Sequence, residues 1–139
     1  METGQTLSSE QDSYTLEEKI GEGGFGVTWG ASRASDGSRV VLKQLRLDRL
    51  DDWKSMELFE REARVLRELD HPHIVGYVDE FTVDDTGSMV LVQRYVEGAT
   101  LVEIMREGRP LDAHTMARWF QQMLDVCAYL HGLSPPVIH

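Results

Sequence analysis

Hydrophobic and polar positions in the first part of the chain follow a period of two, then switch once to a helical period. Val27, Trp29 and Ala31 take alternate places across Val27–Ala34, the spacing of a half-buried strand. Tyr14–Ile20 precedes it as a short strand, and Arg39–Leu47 follows with Val40, Val41, Leu42 and Leu45. Ser35-Asp36-Gly37-Ser38 lies between the last two and carries an Asp-Gly turn signal. Residues 14–47 therefore read as three antiparallel strands with tight connections. Across Asp51–Asp70 the apolar residues Phe59, Ala63, Leu66 and Leu69 recur at helical spacing. His71-Pro72 closes that helix, because the residue before a proline is steered out of the α region.

Ile74–Val83 and Ser88–Val96 are two further strands, joined by a turn at Asp84-Asp85-Thr86-Gly87. After Glu97-Gly98-Ala99 strand character stops. Thr100–Arg106 reads as a short helix ended by Gly108 and Pro110, and Leu111–His131 as a long one with Asp112 as its N-cap. Met116, Phe120, Met123, Leu124, Cys127 and Leu130 form one wide apolar stripe on the long helix. Ser134-Pro135-Pro136 stops it, and Val137-Ile138-His139 reads as the start of another strand. Five strands and one helix, followed by two helices with a large apolar face, give an α+β fold: a small lobe and the opening of a mainly helical one. The stripe on the long helix is expected to be exposed in this chain.

The 139 residues carry a net charge of -10 with 27% charged residues. So acidic a chain does not suit nucleic acid or an anionic membrane surface as main partner. A phosphate ligand stays open, since a local nest of backbone amides and one lysine suffice for it. Cys127 is the single cysteine, which excludes an intramolecular disulfide; its helical neighbours suggest a buried thiol in a reducing, cytoplasmic setting. No apolar run approaches the roughly 20 residues needed to span a bilayer. Residues 1–13 are polar, lack an apolar signal-peptide core and read as a disordered tail. His71 and His73 straddle a proline with one cysteine elsewhere, a poor set of zinc ligands. Trp29, Trp53 and Trp119 suit packing better than base stacking in so acidic a chain.

Candidate chemistry concentrates at Gly21-Glu22-Gly23-Gly24-Phe25-Gly26. Glycines let backbone N–H groups approach phosphate oxygens with no Cβ in the way. A glycine-rich turn without a ligand is the competing reading of the same six residues. A dinucleotide-binding fingerprint needs a helix at the last glycine, and the alternation in Val27–Ala34 excludes one. A Walker A loop needs a Gly-Lys-Ser/Thr sequence that is absent. Lys43 ends the run Val40-Val41-Leu42 and shares a strand face with Val41; taken alone, it could equally be a solvated edge lysine. Glu62 falls inside the apolar stripe of its helix, three residues after Phe59 and four before Leu66. A carboxylate there is costly unless paired or bent out to water, and Lys43 is a partner that would turn the ammonium toward a phosphate.

In order and spacing these segments resemble the N-terminal part of a protein kinase domain over about residues 14–139. The glycine loop is similar to that family's Gly-x-Gly-x-x-Gly lid, and Val40-Val41-Leu42-Lys43 to its Val-Ala-Ile-Lys strand. Glu62 resembles the helical glutamate that pairs with the lysine, and His71-Pro72-His73-Ile74-Val75 the His-Pro-Asn-Ile-Val segment after that helix. Leu91–Leu101 resembles the strand, hinge and first helix leading out of the small lobe. Tyr129-Leu130-His131 and Val137-Ile138-His139 resemble the end of the next helix and the catalytic-loop histidine.

After the polar tail at 1–13, the resemblance implies a small lobe with glycine loop and hinge at 14–98 and a truncated large lobe at 99–139. It implies ATP and Mg²⁺ as ligands and a protein substrate. Lys43 and Glu62 take the catalytic positions. Ile20, Gly21, Glu22, Gly23, Gly24, Phe25, Gly26, Val27, Thr28, Val41, Lys43, Gln93, Arg94, Tyr95 and Val96 take the nucleotide-binding ones. Thr28 stands where the family has valine and Val41 where it has alanine; both keep an apolar surface. Gln93 takes the position gating the back pocket, and Arg94 replaces an acidic first hinge residue. The family reads adenine there through backbone groups, of Arg94 and Val96 in this chain, with Tyr95 flanking the ring. Its catalytic Asp, metal-binding Asn and Asp-Phe-Gly fall after the position of His139, so no metal ligand is named within 1–139 and the chain alone is expected to be inactive. Pro135–His139 resembles bacterial kinases of the eukaryotic type, hence the serine/threonine reading. A pseudokinase or ATP-binding scaffold, and a small domain that binds no nucleotide, are the alternatives.

Overall fold

The computed structural model describes residues 1–23, 26–45, 53–83, 87–134 and 136–137; the side chains of residues 53–56 and 58 also fall outside that description. The element order is β1 (Thr6–Ser8), β2 (Ser13–Gly23), β3 (Gly26–Arg33), β4 (Arg39–Leu45), α1 (Trp53–Glu68), β5 (Tyr77–Val83), β6 (Ser88–Arg94), α2 (Leu101–Arg106) and α3 (Ala113–Gly132). By backbone contacts the chain divides into two compact units. One holds Met1–Leu69 with Val75–Tyr95, the other Asp70–Ile74 with Val96–His139. The fold is the α+β arrangement expected, with six strands where five are expected. Gly24, Phe25, Asp51, Asp84–Thr86, Pro135, Ile138 and His139, which the sequence reading also uses, lie outside the described residues.

The first unit is one antiparallel sheet in the order β1-β2-β3-β4-β6-β5. Its two faces follow from the alternation. Val27, Trp29 and Ala31 of β3, Val40 and Leu42 of β4 and Val90 and Val92 of β6 are buried with Tyr14 and Leu16 on one face. On the other face Leu45 and Leu91 are buried against Phe59 and Ala63 of α1, with Leu66, Tyr77 and Met89 packed around them. Burying Phe59 there contributes about 2–3 kcal/mol of transfer free energy. The expected Asp-Gly turn joins β3 to β4: Gly37 has φ 69°, and the Ser38 amide donates to Asp36 Oδ1 at 2.8 Å.

The sixth strand comes from the segment expected to be a disordered tail. Thr6–Ser8 pairs antiparallel with β2, placing Leu7 opposite Tyr14 and burying it in the core. The polar residues around Leu7 are partnered across the ladder: the hydroxyls of Thr6 and Thr15 lie 3.2 Å apart, and those of Ser8 and Ser13 3.0 Å. Ser9 Oγ donates to Asp79 Oδ2 at 2.6 Å, and Tyr14 Oη to the same oxygen at 2.8 Å. Asp79 is 1% exposed. Burial, and then the hydrogen bond to Asp79, push the Tyr14 phenol above its ordinary pKa. Asp12 pairs with Arg33 at 2.6 Å. Hydrogen bonding from Ser35 first, then from the Ser13 amide and Arg33, holds its carboxyl at about 2.

In the second unit, α2 opens with a capping box in which Thr100 and Glu103 satisfy each other's backbone amides. Helix α3 has Asp112 as its N-cap, accepting from the Thr115 amide at 2.9 Å. Tyr129 Oη accepts from the Asp70 amide at 3.0 Å, and the His71 ring lies 5.0 Å from the Tyr129 ring. Met116, Phe120, Met123 and Leu124 are exposed, as the stripe on α3 requires, whereas Leu130 is buried. Cys127 is exposed, not the buried thiol that its neighbours suggest; it shares the helix face on which Met116, Phe120, Met123 and Leu124 are also uncovered.

Candidate functional site

Lys43 and Glu62 meet on the α1 side of the sheet. On β4, Leu42 turns into the buried face, and Lys43 turns the opposite way with Leu45. Phe59 and Ala63 seat α1 against Leu45 and Leu91 and leave Glu62 beside the lysine. Lys43 Nζ donates to both carboxylate oxygens of Glu62 at 2.7 Å each. An ammonium has three donors, so this two-pronged contact fixes its position while one N–H bond remains for another acceptor. The two side chains are 39% and 40% exposed. The pair is reachable from solvent, and its value as a stabilising salt bridge is small, about 0–1 kcal/mol.

The same face extends from Lys43 along registered cross-strand rows. One row runs Glu18, Gly30, Val41, Gln93, and the neighbouring ladder pairs Thr28 with Lys43. Thr28, Val41 and Gln93 thus share Lys43's side, whereas Val27 points into the core, and Glu22 and Arg94, paired with Val27 and Val40, stand on that opposite side as well. Two β-bulges interrupt β2, between Leu16 and Glu18 and between Lys19 and Gly21. The extra residues are Glu17 and Ile20, and bulges re-aim side chains in this way. Ile20 is half exposed and lies over Gly30, where a Cβ would come within 3.4 Å of its Cδ1.

The glycines divide into two kinds. A Cβ on Gly26 would lie 1.8 Å from the backbone oxygen of Gln44, so only glycine fits beside β4. At Gly21 and Gly23 a Cβ would meet nothing within 4 Å, and neither residue has a positive φ. The fold itself gives no steric reason for those two glycines. Glu22 is ion-paired with Lys19.

Beyond β6 the chain passes through Tyr95. The Arg94 amide donates to the Gly76 oxygen at 2.9 Å. Arg39, the first residue of β4, places its guanidinium 4.3 Å from the centroid of the Tyr95 ring and donates to Glu18 Oε1; Glu17 Oε2 lies 3.6 Å from its Nε. Sequence reasoning missed Arg39, Glu17 and Glu18, because the bulge that brings the two acids together leaves no mark in a period-two pattern. Val96 is exposed and belongs to the second unit. Among the described residues no group of three or more His, Cys, Asp or Glu side chains could hold a metal ion, and no helix is long and apolar enough to cross a membrane.

Residues 14–139 match the family model described as the protein kinase domain. Among curated proteins, the chain is 34% identical over 126 residues to "Serine/threonine-protein kinase pkn3" of Myxococcus xanthus, covering 91% of this chain and 22% of that protein. It is 31% identical over 119 residues to "Probable serine/threonine-protein kinase YbdM" of Bacillus subtilis, covering 85% of this chain and 46% of that protein. It is 28% identical over 118 residues to "NUAK family SNF1-like kinase 1" of Homo sapiens, covering 85% of this chain and 18% of that protein. The chain thus spans less than half the length of these relatives. A family match from Tyr14 onward, over a sheet that joins a strand lysine to a helical glutamate, shows that the chain belongs to the protein kinase family.

Proposed function

We propose that residues 1–139 are the ATP-binding portion of a protein serine/threonine kinase, which transfers the γ-phosphoryl group of ATP to a protein hydroxyl. The observation that carries this reading is the doubly hydrogen-bonded Lys43–Glu62 pair, on the cross-strand row that runs through Thr28 to Gly21, with open space at the Cβ positions of Gly21 and Gly23. Glu62 orients the ammonium, and Lys43 meets the phosphate oxygens with its remaining donor. Charge-assisted bonds of that kind contribute about 1.5–3 kcal/mol each. Gly21 and Gly23 let backbone amides approach the same phosphates, and Gly26 serves the fold by letting β3 lie against β4. Ile20, Thr28 and Val41 offer the apolar surface an adenine ring needs, with Gln93 at its inner end. Since Gly76 already takes the Arg94 amide, an adenine contact at Arg94 falls to its carbonyl.

Mg²⁺, if bound with the nucleotide, would supply charge neutralisation at the phosphates. No residue described here is assigned to it or to the catalytic base. The serine/threonine assignment rests on the relatives' names and a cytoplasmic location on composition.

The test uses the full-length gene product carrying residues 1–139, incubated with γ-labelled ATP and a protein acceptor, followed by phosphoamino-acid analysis. Label on serine or threonine that disappears in Lys43→Met is the expected result. Nucleotide binding without transfer would make the protein a scaffold on the kinase fold, and absence of both would overturn the reading.

A further inference from the structure

We propose that Arg39 is a positioning residue that fastens Tyr95 to the bulged part of β2 and so fixes both edges of the adenine-binding surface. The proposal rests on the ATP reading above and goes beyond it. Three observations carry it. The guanidinium lies 4.3 Å from the Tyr95 ring centroid, within the range of a cation–π contact. The same group donates to Glu18 and stands beside Glu17, the residue that the first β2 bulge inserts. Finally, Glu18 and Ile20 both lie over Gly30, where a Cβ would sit 3.2 Å from Glu18 Cγ and 3.4 Å from Ile20 Cδ1.

The topology explains why one side chain can do this. Arg39 begins β4 and pairs with Ser32 of β3; Val40 pairs with Arg94, so Arg39 stands level with Tyr95 just past the end of β6. Alternation puts Arg39 on the face of Val41 and Lys43. From that central place it reaches β2 on one side and the hinge on the other. Arginine suits the task because its planar head stacks on a ring while its donors engage a carboxylate; the lysine ammonium is a point charge without that shape. Removing the head frees Tyr95 to turn and lets the Glu18–Ile20 segment shift over Gly30. Nucleotide affinity then falls, while the Lys43–Glu62 pair and the phosphoryl-transfer geometry stay in place.

The experiment measures kcat and KM for ATP in the full-length gene product for Arg39→Met, Arg39→Lys, Glu18→Gln and Tyr95→Leu, with Lys43→Met alongside. Arg39→Met is expected to raise KM for ATP about threefold to tenfold with kcat within about twofold, the scale of one cation–π contact plus the exposed ion pairs to Glu17 and Glu18. Arg39→Lys should recover part of that loss, and Glu18→Gln should give a smaller shift in the same direction. Arg39→Met combined with Tyr95→Leu should raise KM by less than the product of the single effects. An unchanged KM in Arg39→Met, a fall in kcat with KM unmoved, or independent effects of Arg39 and Tyr95 would overturn the proposal. If ATP-analogue binding is lost in Lys43→Met while Arg39→Met is silent, only the role of Arg39 fails. If neither variant changes nucleotide binding, the ATP reading itself fails.

Discussion

Replacing Gly26 by alanine separates the structural glycine of the loop from Gly21 and Gly23, for which the fold shows no steric need. The added Cβ would stand 1.8 Å from Gln44 O, 2.9 Å from Gln44 C and 3.3 Å from Leu45 Cα. All three are backbone atoms of β4, which cannot swing aside as a side chain can. The β3–β4 ladder, in which Gly26 is paired with Leu45, must therefore open by more than an ångström. Overpacking of this kind costs about 1–3 kcal/mol, and weakening a terminal ladder hydrogen bond adds about 1 kcal/mol. The expected loss is about 2–4 kcal/mol, a shift of about 1–2 M in the urea midpoint. Gly21→Ala and Gly23→Ala meet no neighbour, and removing a strand glycine gains up to about 0.5–1 kcal/mol. Urea unfolding of the 139-residue chain, followed by the fluorescence of buried Trp29, compares the three variants. Equal destabilisation by Gly21→Ala and Gly26→Ala, or a neutral Gly26→Ala, would refute this division of the loop.

Other expectations follow from the N-terminal segment and from α3. Asp79→Ala removes the acceptor shared by Tyr14 and Ser9; with the tyrosine hydroxyl left buried and unpaired, a loss of about 2–4 kcal/mol is expected in the same urea assay, and a loss below about 0.5 kcal/mol contradicts the network. The carboxyl of Asp12 is held at about 2 against an ordinary 3.8. Its contribution is therefore complete above pH ~4 and is lost as pH falls toward 2, so thermal unfolding of Asp12→Asn should be less acid-sensitive across that window than the parent chain. Cys127 is exposed, and a thiol reagent should label it in the native 139-residue chain as fast as in denaturant, within about tenfold; strong native protection contradicts its placement.

The strands from Tyr14 onward were legible because each buries one face, so the period-two pattern of Val27, Trp29 and Ala31 is the physical cause of their position. Helix α1 was legible for the same reason at the helical period. The Lys43–Glu62 pair could be read because Glu62 breaks an apolar stripe, where a carboxylate is either paired or bent out to water, and Lys43 is the partner that the spacing offers. Strand β1 was illegible: Leu7 is a lone apolar residue, and the strand is held by hydroxyl pairs and by the remote Asp79, which leave no periodic trace. Cys127 was misread because a stripe of apolar residues shows which face a helix could bury, not that something covers it. The site's outer edge stayed hidden for a third reason. Arg39, Glu17 and Glu18 come together through β-bulges, and an insertion of one residue in a ladder has no compositional signature.

Nucleotide affinity with and without the Lys43 ammonium tests the account most directly. A fluorescent ATP analogue is titrated into the full-length gene product and into its Lys43→Met variant, with thermal unfolding as a check that both are folded. Loss of one charge-assisted contact to phosphate should weaken binding about tenfold to a hundredfold, with little change in stability because the Lys43–Glu62 pair is partly exposed to solvent. Equal affinity in the two folded proteins would contradict the claim that this face of the sheet holds the phosphates of ATP.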